Sequence, residues 1–73
     1  MVKEIVATLP GIVSQLNVQL GDRLEEDEEV LAIEAFKMET PLFAPCKGTV
    51  KEIRIKPGDK VEENDVLVII DEN

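Results

Sequence analysis

The stretch "GIVSQLNVQLGDRLEE" (residues 11–26) is written a second time as "GTVKEIRIKPGDKVEE" (residues 48–63), at an offset of 37. Working outward, "EEVLAI" (28–33) lies over "NDVLVI" (64–69) at an offset of 36, and "EIVAT" (4–8) lies over "PLFAP" (41–45). Internal repetition of this kind means one structural unit used twice. The 73 residues therefore read as a single domain, 1–73, of two half-repeats covering about 1–36 and 38–73. They join at residues 34–40, and Lys37 stands at the midpoint with 36 residues on either side.

Each copy reads as short strands. Leu16 and Val18 alternate with Gln15, Asn17 and Gln19, and Ile53 and Ile55 alternate with Glu52, Arg54 and Lys56. That is a period of two, the mark of a half-buried strand. Val13 and Leu16 break the alternation by one residue, and Val50 and Ile53 break it at the same place. A matched slip predicts a β-bulge in both copies. "KPGDK" (56–60) puts Pro57 and Gly58 where a type II turn wants them, and Gly21 holds the equivalent position in the first copy.

Symmetry supplies the topology. A hairpin between a strand near 29–35 and one near 38–43 would cross over Phe36-Lys37. A two-fold axis relating the copies maps that contact onto the last strand (66–71) beside the first (2–8). The chain ends then lie together at the pole opposite Lys37, and the wrap is expected to close the sheet edges. The predicted fold is all-β, a flattened eight-stranded barrel of two sheets.

Composition excludes several function classes. With no histidine and one cysteine, zinc clusters, Ser-His-Asp hydrolysis and Cys-His catalysis cannot be assembled. No nucleophile and base pair remains, so the chain is not expected to be an enzyme. A net charge of −8 disfavours nucleic acid and anionic membranes as partners. No apolar run approaches the ~20 residues that span a bilayer, and "MVKEIVATLP" (1–10) lacks the signature of a signal peptide. The setting expected is reduced, soluble and cytoplasmic. "EEDEE" (25–29) lacks the alternating oxygen spacing of a calcium loop and reads as a solvated turn, so no metal site is expected.

Lys37 is the position that the strand pattern leaves over. A lysine on a tight turn is ordinarily a solubilising charge. Here it falls where duplication provides no counterpart, between Phe36 and Met38, at a turn where Asn-Gly or Asp-Gly would form more easily. Large apolar side chains on an exposed turn point to recognition.

Those residues carry a resemblance. "EAFKME" (34–39) resembles the Glu-Ala-Met-Lys-Met signature around the modified lysine of biotin carboxyl carrier domains. "ATLPG" (7–11) is similar to the Ala-Pro-Met-Pro-Gly that opens such domains, and "APCKGTV" (44–50) to their Ala-Pro-x-x-Gly-x-Val. The resemblance covers essentially the whole chain. It implies a barrel-sandwich hybrid fold with biotin joined covalently to Lys37, and a recognition set of Glu34, Ala35, Phe36, Met38 and Glu39 around it. The sequence departs from the pattern at Phe36, where the family has methionine, and it has no protruding thumb insertion. The second departure favours a carrier for a complex other than the bacterial acetyl-CoA carboxylases that have one, or a small free-standing carrier.

The resemblance also implies a mechanism. A lysine amine in water is almost wholly protonated at neutral pH, so biotin protein ligase must supply activated biotin and remove the proton. Acylation takes the formal charge from −8 to −8 − 1 = −9. The lysine and valeryl chains make an arm on the order of 15 Å, from bonds near 1.5 Å. Biotin gains a carboxyl group at a biotin carboxylase and gives it up at a carboxyltransferase or decarboxylase, and the carrier contributes effective concentration. Two other readings share the fold. One is a lipoyl carrier of an acyl-transfer complex, which typically shows aspartate before the lysine and a small residue after it. The other is an unmodified assembly module, in which an insertion usually separates the halves. Cys46 is expected to be a small buried side chain or an idle thiol, and Gly11 and Gly48 to be backbone constraints.

Overall fold

Short alternating segments bounded by turn residues fold as strands, and the computed structural model, which describes residues 1–72, contains eight of them. Asn73, the last position of the second half-repeat, lies outside the described residues. In chain order they are β1 (Val2–Val6), β2 (Gly11–Leu16), β3 (Arg23–Leu24), β4 (Glu29–Ala35), β5 (Met38–Phe43), β6 (Gly48–Ile53), β7 (Lys60–Val61) and β8 (Val66–Glu72). They form two antiparallel four-stranded sheets, ordered β1-β8-β6-β3 and β5-β4-β2-β7. Each sheet takes two strands from each half-repeat, so neither four-stranded sheet forms from one half alone.

The turns lock the copies together. The Gly21 N–H donates to the Val50 carbonyl (2.9 Å) and the Val50 N–H to the Asp22 carbonyl (2.8 Å). The other copy repeats this, with Gly58 donating to Val13 (2.8 Å) and Val13 to Asp59 (2.9 Å). Gly21 and Gly58 have φ of 88° and 96°, the left-handed value that a type II turn needs at its third residue. Asp22 and Asp59 close these turns by accepting the Gln19 and Lys56 N–H groups on their carboxylates, at 2.8 and 3.1 Å.

The bulges fall where the phase slips predict them, between Val13 and Gln15 in β2 and between Val50 and Glu52 in β6. The Met1 carbonyl accepts the Glu72 N–H at 2.7 Å, which puts the chain ends together. The molecule measures 35 × 17 × 17 Å, with β1 and β8 mirroring the β5–β4 hairpin.

Two expectations are corrected. The first is the offset of 36 in the last strand. Leu31 pairs with Leu42 as Val68 pairs with Ile5, and Ile33 pairs with Val13 as Ile70 pairs with Val50. Leu31 thus corresponds to Val68 and Ile33 to Ile70, an offset of 37 throughout. Side-chain likeness suggested the shift, but ladder hydrogen bonds decide register, and a one-residue slip would turn the buried face of β8 to solvent. The second is closure. No ladder joins β1 to β5, so the sheets stay open and form a flattened barrel-sandwich. The edges are managed instead by brevity, since β3 and β7 have two residues each, and by Pro41, which withholds a donor from edge strand β5.

Matched positions of the two copies fill the core: Val13 with Val50, Leu24 with Val61, Val30 with Leu67, Leu31 with Val68 and Ile33 with Ile70. All are aliphatic, and neither phenylalanine takes part. Cys46 is a free thiol, half-buried against the edge of this cluster.

Candidate functional site

Strand β4 is anchored on both sides, by β2 and β5, and Val30, Leu31 and Ile33 bury its inner face completely. It therefore carries its C-terminal end rigidly past the core. Ala35 pairs with Met38 as the last rung, leaving Phe36 and Lys37 as the two-residue link. Their φ values are 54° and 62°. Positive φ at both central residues is the type I′ hairpin turn, whose twist matches that of the strands. Left-handed backbone costs an ordinary L-residue about 1–2 kcal/mol, and neither side chain recovers that by packing. Phe36 is 88% exposed and Met38 70%. Lys37 is exposed and makes no hydrogen bond or ion pair among the described residues.

Glu34 and Glu39 face each other across the hairpin one rung below Ala35 and Met38. Like charges directly opposite are mutually unfavourable, and the two are held differently. The Ser14 hydroxyl, on the bulge of β2, donates to a carboxylate oxygen of Glu39 at 2.8 Å. It also lies 3.3 Å from the Ala32 carbonyl, but its single proton serves the charged acceptor better. Glu34 makes no side-chain hydrogen bond among the described residues. Ser14 was not singled out by the sequence reading. The phase slip marks it as the extra residue of the bulge, yet nothing local reveals a contact 25 positions away.

The remaining polar features lie elsewhere. Residues 25–28 form a turn at the other end of β4, on the order of 20 Å from Lys37 at about 3.4 Å per residue. The Glu28 carboxylate caps it by accepting the Glu25 N–H at 3.0 Å, as Asp65 caps Glu62 in the second copy at 2.8 Å. Among the described residues, no three acidic or thiol side chains are grouped to hold a metal. One surface groove runs between β1 and β5, lined by Val6, Pro41 and Phe43 among others, and a second lies along Arg54 and Lys60. Neither includes Lys37. The amine stands outside both grooves and is exposed, so this arrangement offers a nucleophile for acylation on an open turn.

An exposed, unpaired primary amine on a rigid turn has the chemistry needed to form an amide with a carboxylic acid cofactor, and the surroundings leave room for one. Comparisons with known proteins bear on which. Among curated proteins, none matches the chain. Among solved structures, urea carboxylase of Kluyveromyces lactis superimposes with a TM-score of 0.89 at 30% identity. The match covers 96% of this chain and 6% of that protein. A single-chain, multi-domain long-chain acyl-CoA carboxylase shares the fold, with a TM-score of 0.92 at 24% identity over 99% of this chain and 7% of that one. This chain thus spans only a small part of the length of either. Residues 1–70 match the family model described as biotin-requiring enzyme. Domains of that family are carriers of biotin or lipoyl groups, generally without catalysis of their own, and this chain belongs to it.

Proposed function

We propose that the chain is a biotin carboxyl carrier domain whose attachment residue is Lys37. The observation that carries this reading is the pairing of a strained, exposed Phe36-Lys37 turn with membership of a biotin-requiring family. The fold would be easier to make with other residues at that turn, so their presence calls for a use.

The Lys37 Nζ loses a proton and attacks the acyl carbon of an acyl adenylate, so that the C–N amide bond forms as the carbonyl–phosphate bond breaks and AMP leaves. The base for that step comes from the ligase, because among the described residues no side chain contacts Lys37 by a hydrogen bond or ion pair. Bound biotin supplies a ring nitrogen that can hold a carboxyl group. Strands β4 and β5 then keep the attachment point at the end of a 35 Å body, where the tip can enter a partner's active site while the sheets stay outside. Tethering replaces a bimolecular search by a local one. The partners proposed are biotin protein ligase, a biotin carboxylase and a carboxyltransferase or decarboxylase.

Biotin is preferred to lipoate on two grounds. Phe36 and Met38 set large apolar side chains beside the lysine, unlike the lipoyl pattern of aspartate and a small residue. The neighbour at 30% identity is a carboxylase. Co-expression with a biotin ligase and, separately, with a lipoyl ligase tests the choice by intact mass. The expected result is a gain of one biotinyl group with the first enzyme and no gain with the second. A lipoyl adduct alone would overturn the reading.

A further inference from the structure

Ile12 on β2 lies opposite Glu34 on β4 and opposite Lys60 on β7, and Glu34 lies opposite Glu39 on β5. Directly paired residues share a face of a sheet, so Lys60, Ile12, Glu34 and Glu39 form one row across the outer surface, just behind the lysine turn. All four are exposed, Ile12 by 48%. The two-fold axis repeats the row at the opposite pole as Arg23, Thr49, Asp71 and Val2, through the same kinds of pairing. The base and the central acid keep their character between the poles, and the other two positions do not. Val2, exposed by 50% on edge strand β1, stands where the lysine pole has Glu39, and Thr49 stands where it has the half-exposed Ile12.

The fold therefore does not require an aliphatic side chain at the β2 position. Only the pole that bears Lys37 sets one between the base and the acid of the row. We infer that Ile12 is the apolar anchor of a surface read by the enzyme that acylates Lys37, with Glu34 and Glu39 as its acidic border. This rests on the carrier reading and extends the recognition set from the hairpin onto β2. The partner surface that fits is an apolar socket with cationic side chains on the side of Glu34 and Glu39 and none on the side of Lys60. Glu34, whose side chain makes no hydrogen bond among the described residues, is available to one of those cations, whereas Ser14 donates a hydrogen bond that holds the Glu39 carboxylate. The reach is reasonable. A standard interface covers about 800 Å² per partner, a patch roughly 16 Å in radius, and Ile12 lies within about 11 Å of the turn by strand spacings.

The test is the steady-state rate of biotinylation by a biotin ligase with biotin and ATP, for wild type, Ile12→Thr, Ile12→Val and Leu20→Thr. Leu20 is exposed in the turn that packs on Val50, toward the other pole. Ile12→Thr is expected to lower kcat/KM about fivefold to tenfold, through KM with kcat unchanged, as loss of a binding contact does. Its melting temperature is expected to stay at the wild-type value, because threonine is an equally good strand former. Ile12→Val is expected to remain within about twofold of wild type, and Leu20→Thr to match it. Wild-type kinetics for Ile12→Thr would overturn the inference and leave the carrier reading intact. Absence of any biotinylation of the wild-type chain would instead overturn the carrier reading, and the inference with it.

Discussion

Replacing Phe36 and Lys37 together by asparagine and glycine is expected to raise the melting temperature by roughly 10 °C and to abolish acylation at the hairpin. Both residues sit at positive φ in a two-residue link, where Asn-Gly is the favoured pair. Left-handed backbone costs each of them about 1–2 kcal/mol, and asparagine and glycine avoid most of it. Glycine gives back about 0.5–1 kcal/mol through its freedom in the unfolded chain, leaving a net gain near 2 kcal/mol. For a domain of this size 1 kcal/mol moves the midpoint by about 4–8 °C. Nothing in the core is lost, since Phe36 is 88% exposed. Thermal unfolding followed by circular dichroism measures the first effect and a streptavidin blot the second. A variant that melted below wild type would mean that the turn residues support the fold, and the argument that they are present for use would fail.

Gly11→Ala and Gly48→Ala are each expected to destabilise the domain by about 2–4 kcal/mol, through crowding of backbone that has no room to relax. A Cβ on Gly11 would stand 2.6 Å from the Glu34 carbonyl oxygen and 2.7 Å from Ile33 Cγ2. On Gly48 it would stand 2.5 Å from the Asp71 oxygen and 2.6 Å from Ile70 Cγ2. Two-fold-related strands are thus pinned against their neighbours in the same way. Both carbonyls belong to ladder strands between two neighbours, so relief would disturb register on either side. Urea unfolding is expected to show a lowered midpoint with an unchanged m-value for both variants. Gly11→Ala also displaces the end of β4 that carries the hairpin, so slower biotinylation is expected to accompany its lower stability, while Gly48→Ala acts at the far pole.

Much of the fold was legible because duplication doubles every weak signal. One Gly-Asp turn is common, but two at a constant spacing, with matched phase slips beside them, define strands, bulges and the β4–β5 hairpin together. The β1–β8 contact followed from symmetry alone, with no local feature to mark it. Where symmetry was read from side-chain likeness the reading failed. Val30-Leu31 resembles Val66-Leu67, yet hydrogen bonding sets Val30 against Leu67 in the repeat. Closure failed for a related reason: pattern says which residues face inward, but not whether β1 and β5 approach closely enough to pair.

At the site, the turn position of Lys37 could be read because Phe36 and Met38 break the local rules for a turn, and such breaks gather where function competes with folding. The type I′ geometry itself runs against the propensity of both residues and follows only from the exact pairing of Ala35 with Met38. The Ser14–Glu39 hydrogen bond and the row through Ile12 depend on strand order across the sheet, which no stretch of the chain displays.

The central claim is that Lys37, the amine at the junction of the two copies, is the acceptor. Biotinylation by a competent ligase followed by peptide mapping tests it most directly, since the chain offers five other lysines for comparison, Lys3, Lys47, Lys51, Lys56 and Lys60. The account predicts one biotinyl group per chain, all of it on Lys37 and none on the other five. A group found on any of those, or retained after Lys37→Ala, would contradict it.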